Sequence, residues 1–209
     1  MGGGGRREHL VIFAKAPQMG RTKTRLAHDI GALSAMVWYR RQTHNIIRRL
    51  QGYRRWQLHL FVTPAWAAKP GCFWPDGPLR HAQQHGDLGR RMAQPARVLP
   101  PGPVVIIGSD IPGITRQHIA DAFALLRQKD VVFGPACDGG YWLYGMARRR
   151  YHPALSSVRW STPHALSDSI VSLPPHLTVG FAATLRDVDN IDDLVSIAGS
   201  TNRLRLVRD

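Results

Sequence analysis

The sequence predicts one α/β domain of three layers, with helices covering both faces of a mostly parallel sheet. Short, continuous apolar runs at residues 9–14 (His-Leu-Val-Ile-Phe-Ala) and 104–108 (Val-Val-Ile-Ile-Gly) read as strands buried on both faces. Segments of helical periodicity alternate with them, the pattern of parallel strands joined by right-handed crossovers. At 209 residues the chain is long enough for one sizeable core, and no composition shift marks a second domain.

In chain order, residues 9–14 form the first strand. Residues 30–50 form the first helix: Leu33, Val37, Ile46, Ile47 and Leu50 recur at helical spacing, with Arg40, Arg41, Arg48 and Arg49 left for the outside. Residues 57–63 form the second strand, and 64–78, rich in Trp, Gly and Pro, a loop. Residues 86–98 read as helical, 104–108 as a parallel strand, and 115–128 as a helix. Strands at 131–134 and 141–146 are joined by the turn Asp138-Gly139-Gly140. A later helix is marked by Thr162 as N-cap and Pro163 at its first position. Residues 177–181 form a late strand, and a last helix runs from Asn190 to Gly199. The domain spans 9–200, between an N-terminal tail, 1–8, and a C-terminal tail, 201–209.

Charge and composition narrow the chemistry. No stretch approaches the roughly 18 continuous apolar residues of a membrane helix, and no signal-peptide segment follows the glycine-rich start, so a cytoplasmic protein is expected. Cys72 and Cys137 lack the spacing of a zinc or redox pair. The net charge of +14 comes from 24 Arg and 4 Lys against 13 Asp and one Glu. Such a field attracts polyanions in general. Because the one glutamate, Glu8, falls in the tail, every catalytic or metal-binding carboxylate must be an aspartate. A HExxH metalloprotease site is thereby excluded.

The loop following the first strand carries Lys15, Arg21, Lys23 and Arg25 within eleven residues, at the sheet edge where ligands of such folds sit. Lysine supplies a point charge, arginine a bidentate fork, and Gly20 an unobstructed backbone N–H, which together suit phosphate. The loop is neither a Walker A motif nor a GxGxxG dinucleotide fingerprint. A solvated basic turn is the plain alternative.

Asp110 follows the apolar run 104–108 and projects at the mouth of the sheet, where a divalent cation bridging phosphates would be held. Its alternative role is to cap the helix that begins near Thr115. In Asp187-Val-Asp189-Asn190-Ile-Asp192-Asp193, alternate residues share a side, so Asp187 or Asp189 is expected to supply a second ligand. Asp192 and Asp193 then favour the dipole of the last helix. Asp138-Gly139-Gly140-Tyr141 offers close backbone approach beside an aromatic, or simply a tight turn. His81 and His85 read as surface residues of one helix face, and the arginine pairs at 40/41, 48/49, 54/55 and 90/91 as a solvated face that keeps nucleic-acid binding in play.

Several motifs occur in one order: Phe13-Ala-Lys15-Ala-Pro-x-x-Gly20-Arg-x-Lys23-Thr24-Arg25-Leu26, Gly86-Asp87-Leu-Gly89-x-Arg91-Met92, Gly108-Ser-Asp110-x-Pro112, Gly134-Pro-x-x-Asp138-Gly-Gly-Tyr141, Trp160-Ser-Thr162 and Arg186-Asp187-Val-Asp189. This pattern resembles the DUF2064 family of the nucleotide-diphospho-sugar transferase superfamily. The resemblance implies a glycosyltransferase-A-like fold and a glycosyltransferase using a nucleotide sugar. The first loop is also similar to that of phospholactate guanylyltransferases, which implies nucleotidyl transfer from an NTP as the alternative.

The same resemblance implies Lys15, Gly20, Lys23, Arg25 and Asp87 at the nucleotide phosphates, with Lys23 and Asp110 catalytic. It implies Asp138, Gly139, Gly140 and Tyr141 near the sugar or acceptor, and Mg or Mn on Asp110 with Asp187 or Asp189. The chain departs from the pattern after Asp189, where Asn190-Ile191-Asp192 replaces Thr-Pro-Glu, and it lacks a DxD. The expected partner is a nucleotide or nucleotide sugar, not nucleic acid. A non-catalytic nucleotide or nucleic-acid binder is the remaining class, to be recognised by a steep loss of affinity with salt.

Overall fold

The computed structural model describes residues 7–71, 73–147 and 155–197. Its elements are β1 (Glu8–Lys15), α1 (Thr24–Ile30), α2 (Ala32–Leu50), β2 (Trp56–Thr63), β3 (Leu79–Ala82), α3 (Leu88–Val98), β4 (Val104–Ile107), α4 (Arg116–Leu125), β5 (Val131–Pro135), β6 (Tyr141–Met146), α5 (Ala165–Val171) and β7 (Val179–Phe181). Residues 191–197 are helical. Residues 1–6, Cys72 and Gly199, together with the tail at 201–209, lie outside the described residues. Glu8, placed in the tail from sequence, begins β1 and pairs with Arg55 at 2.9 Å.

The strands form one sheet in the order β3-β2-β1-β4-β6-β5-β7. β6 runs antiparallel to both β4 and β5, and the other pairings are parallel. From β1 the chain winds outward to β2 and then returns to the other side at β4, so a crevice opens where the C-terminal ends of β1 and β4 diverge.

Alternation along β1 explains the layers. Leu10, Ile12 and Ala14 pack with Ile46, Ile47 and Leu50 of α2 and Ile119 and Phe123 of α4. Val11 faces the opposite side, with Met92 and Ala96 of α3 and Ala165 of α5. Each of these large aliphatic side chains contributes about 1.5–3 kcal/mol by leaving water.

The predicted first helix is α2, and a further short helix, α1, precedes it, separated by Gly31 (φ 86°). Ile46, Ile47 and Leu50 of the predicted stripe are buried, together with Ala35, Tyr39, Gln42 and Thr43, whereas Leu33 is exposed and Val37 half-buried. α5 starts at Ala165, because Thr162 and Pro163 belong to a preceding turn in which the Thr162 hydroxyl accepts the His164 N–H.

A row of histidines crosses the first three strands. His9 Nδ1 lies 3.1 Å from His59 Nε2, and His59 Nδ1 lies 3.2 Å from His81 Nε2. His81 is therefore a strand residue stacked on Phe61, not the exposed helical residue expected. Burial, with His9, His81 and Arg7 nearby, lowers His59 to about 3, so its ring is neutral in the folded protein.

Candidate active site

After Lys15 the chain turns through residues 16–23 and holds its own shape. Arg21 donates its N–H to Gln18, the buried Thr22 hydroxyl donates to the same carbonyl, and Gly20 supplies a positive φ of 71°. Lys23 then takes a left-handed conformation (φ 49°, ψ 53°) and α1 starts directly behind it. Arg25 thus stands on the first turn of a helix, where sequence reading placed a loop. A left-handed lysine costs about 1–2 kcal/mol. Its ammonium offsets that cost with two contacts of 2.7 Å, to Asp110 Oδ2 and Asp189 Oδ1. Arg25 Nη1 reaches the other oxygen of Asp189 at 3.2 Å.

Asp110 arrives from the end of β4. Thr115 caps α4 in a reciprocal box with His118, so Asp110 is free of the capping role that was its alternative. Asp189 arrives from the segment after β7, pinned by the fully buried Val188, which packs with Leu26 and Ala35. Asp187 and Asp189 flank that anchor. Asp193 accepts the N–H groups of Asp189 and Asn190, and Asn190 accepts that of Asp193. Asp193 therefore starts the final helix, as expected, while Asp192 is exposed.

The electrostatics follow from this convergence. Burial opposes charge on Lys23, whose side chain is only 9% exposed, but Asp110 and Asp189 outweigh it and raise the pKa above the ordinary lysine value. Burial first, then the charges of Asp138, Asp189 and Asp110, push Asp187 up to about 6 against the opposing pull of Lys23.

Two cavities meet at this cluster. The first, about 490 Å³, is lined by Lys15, Arg21, Lys23, Arg25 and Arg91, with Tyr39, Gln83 and Ser109. The second, about 390 Å³, is lined by Asp138, Gly140, Tyr141, Trp142, Trp160 and Asp187. Arg25, Leu88, Gly108, Asp110 and Asp189 line both, so together they form one cleft of two lobes.

Most of the residues singled out in the sequence meet here, and three do not. Gly20 is in the turn and lines neither cavity. Asp87 is the N-cap of α3, accepting the Arg90 N–H at 2.8 Å. From the same motif it is Arg91 that reaches the first lobe, held by Gln83 at 3.2 Å. Gly139 lines neither lobe; its φ is 86° and a Cβ there would lie 2.2 Å from the Pro163 carbonyl, so glycine is required for packing. Asp138 closes the turn by accepting the Gly140 N–H at 2.9 Å.

Tyr39 and Ser109 were not anticipated. Tyr39 is buried inside the first lobe, accepts the Lys15 N–H at 2.9 Å and lies 2.9 Å from Ser109 Oγ. Contacts 24 and 70 residues apart in sequence leave no local signature. Of the arginine pairs, Arg49 braces the Pro112 and Ile114 carbonyls and Arg55 pairs with Glu8, whereas Arg40, Arg41 and Arg48 face solvent.

An oxygen-only donor set suits a hard divalent cation, which takes one or two carboxylates and keeps waters. Asp110 and Asp189 already converge on one cation, the Lys23 ammonium. Among the described residues no three His, Cys, Asp or Glu side chains form a ready metal cage. The carboxylate pair therefore fits such an ion in chemistry, with Lys23 as the group that shares it.

Comparison with known proteins bears on the fold and the lineage. No functionally curated protein matches the chain. A crystal structure from Desulfovibrio desulfuricans G20, of a protein assigned to the nucleotide-diphospho-sugar transferases, is similar at 28% identity, with 90% of this chain and 84% of that one covered and a TM-score of 0.76. CMP:2-keto-3-deoxy-manno-octonic acid synthetase in complex with CTP shares the fold at 12% identity, covering 94% and 99%, with a TM-score of 0.57. So does Mycobacterium tuberculosis H37Rv Rv0371c in complex with manganese, at 17% identity, 92% and 97% coverage and a TM-score of 0.54. The fold is thus the glycosyltransferase-A-like α/β domain. Residues 46–162, which carry Asp110 and all of the 138–141 turn, match a family described as an uncharacterized protein conserved in bacteria, DUF2064, and the chain belongs to that family.

Proposed function

We propose that the protein is a transferase whose basic lobe grips the phosphates of a nucleotide-activated donor and whose aromatic lobe receives the group transferred or its acceptor. The carrying observation is that the two lobes meet at Asp110, Asp189 and Arg25. Lys15, Arg21, Arg25 and Arg91 supply positive charge where a diphosphate lies, and preorganised charge of this kind is a large term in phosphate chemistry. The fold relatives that handle nucleotides support the same class.

Glycosyl transfer from a nucleotide sugar is the main reading, because Tyr141, Trp142 and Trp160 give the second lobe aromatic surface for a sugar and Asp138 and Asp187 give it polar acceptors. An acceptor oxygen bonds to the sugar carbon as the bond to the diphosphate breaks, and the first lobe holds the departing diphosphate. Asp110, with Asp189 or Asp187, would hold Mg²⁺ or Mn²⁺, which when bound neutralises phosphate charge. Nucleotidyl transfer is the second reading, favoured by the five cationic side chains of the first lobe. No helix among the described residues is long and apolar enough to cross a membrane, and a cytoplasmic setting belongs to this proposal.

Thermal shift with NTPs and nucleotide sugars, each with and without Mg²⁺ or Mn²⁺, tests these readings. Metal-dependent stabilisation by nucleotide sugars supports glycosyl transfer, and a preference for triphosphates decides for nucleotidyl transfer. Asp110→Asn should abolish the metal-dependent part of the shift; an unchanged shift in that variant sinks the metal assignment.

A further inference from the structure

Lys15, Tyr39 and Ser109 form a hydrogen-bond chain at the edge of the basic lobe. A backbone N–H can only donate, so the Tyr39 oxygen accepts from Lys15 at 2.9 Å. Burial raises the phenol pKa above its ordinary value, so the hydroxyl keeps its proton. Tyr39 is 4% exposed, and a buried O–H without an acceptor is costly. Ser109 Oγ, 2.9 Å away on the cavity side, is an acceptor for it. Once Ser109 accepts from Tyr39, its own hydrogen is left over, and Ser109 lines the basic lobe beside Asp110.

We infer that Ser109 is a ligand-contacting donor, aimed by Tyr39 as a positioning residue, which gives one directed hydrogen bond to an anionic oxygen of the bound phosphate group. This inference rests on the proposal that the first lobe takes phosphates. It adds a neutral, directional contact beside the five cations of that lobe, and it requires an acceptor at that point of the ligand. A cation attracts from any side, whereas a hydroxyl whose acceptor side is already taken selects for geometry.

The test is calorimetric titration of the full chain with inorganic tripolyphosphate at about 0.15 M salt, where attraction by exposed arginines is largely screened. Ser109→Ala should weaken binding about tenfold, as expected for loss of a hydrogen bond to a charged group, and Ser109→Thr, which keeps the hydroxyl, should stay within about threefold of wild type. Tyr39→Phe should weaken binding about three- to tenfold, and the double variant Tyr39→Phe/Ser109→Ala should bind no more weakly than Ser109→Ala alone. Additive losses would mean that Tyr39 acts only through the end of β1, and would overturn the chain. Unchanged binding by Ser109→Ala overturns the contact while leaving the phosphate lobe standing. Failure of the wild-type protein to bind tripolyphosphate overturns both.

Discussion

The two lobes of the cleft are built by opposite means. The first is assembled from charged side chains that reach in from β1, α1, α3, β4 and the segment after β7, held by ion pairs of 2.7–3.2 Å. The second is shaped by backbone: the 136–140 turn closes on itself, donates Ala136 N–H to the Gly140 carbonyl, and packs against Pro163 with no space for a side chain at Gly139. Ammonium and guanidinium groups can exchange a carboxylate partner for a phosphate. A turn fixed by steric contact has no partner to exchange, so the two lobes differ in what a ligand can displace.

That contrast breaks most visibly at glycine. Gly139→Ala should destabilise the protein by about 3 kcal/mol or more, since a strained φ adds to a contact with Pro163 that nothing can relieve. Gly20→Ala, in open space at φ 71°, should cost only about 1 kcal/mol. Denaturant melts of both variants measure the difference; similar losses would show that the first loop is as sterically fixed as the second turn.

Lys23→Met leaves Asp110 and Asp189 facing each other without their shared cation. Breaking a fully buried pair costs about 3–5 kcal/mol, but these carboxylates are 31% and 34% exposed, so about 1–2 kcal/mol is expected. Tripolyphosphate affinity should fall at least about tenfold in the same variant. Retained affinity would mean that Lys23 serves the fold alone.

A control sits outside both lobes. His59 is neutral when folded, so the unfolded chain binds its proton first. Its contribution to stability should be lost as pH falls from about 6.5 towards about 3, with a slope of at most about 1.4 kcal/mol per pH unit. His59→Gln should flatten that slope in melts across pH and leave phosphate binding unchanged at pH 7.5. Altered binding would show that the row communicates with the first lobe.

The legibility of the molecule follows signal strength. β1 and β4 were readable because each is a run buried on both faces, and with them came the placing of Lys15 and Asp110 at one edge. β3 escaped because Leu79–Ala82 is four residues long with no buried position. α1 escaped because its N-cap is a left-handed lysine that makes no side-chain cap, where sequence rules look for Ser, Thr, Asp or Asn. In the motif around residue 87 a charged residue was sought at the ligand, but Asp87 is absorbed by its helix end and Arg91, one turn later, faces the cavity. Alternation in the Asp187–Asp189 segment puts both carboxylates at the cleft. That its anchor is Val188, packed against the start of α1 and α2, is a tertiary fact with no local trace.

The ion pair between Lys23 and Asp189 joins residues 166 positions apart. During synthesis the basic loop therefore emerges long before one of the two carboxylates that fix it, and a nascent chain of some 180 residues holds Lys23 with Asp110 alone. Contacts of such span are slow to form, and domains made from the N-terminus expose unfinished surfaces meanwhile. The cleft is complete only once residue 189 is in place, so chains truncated before it would keep the strands of the sheet and lack the second carboxylate on Lys23.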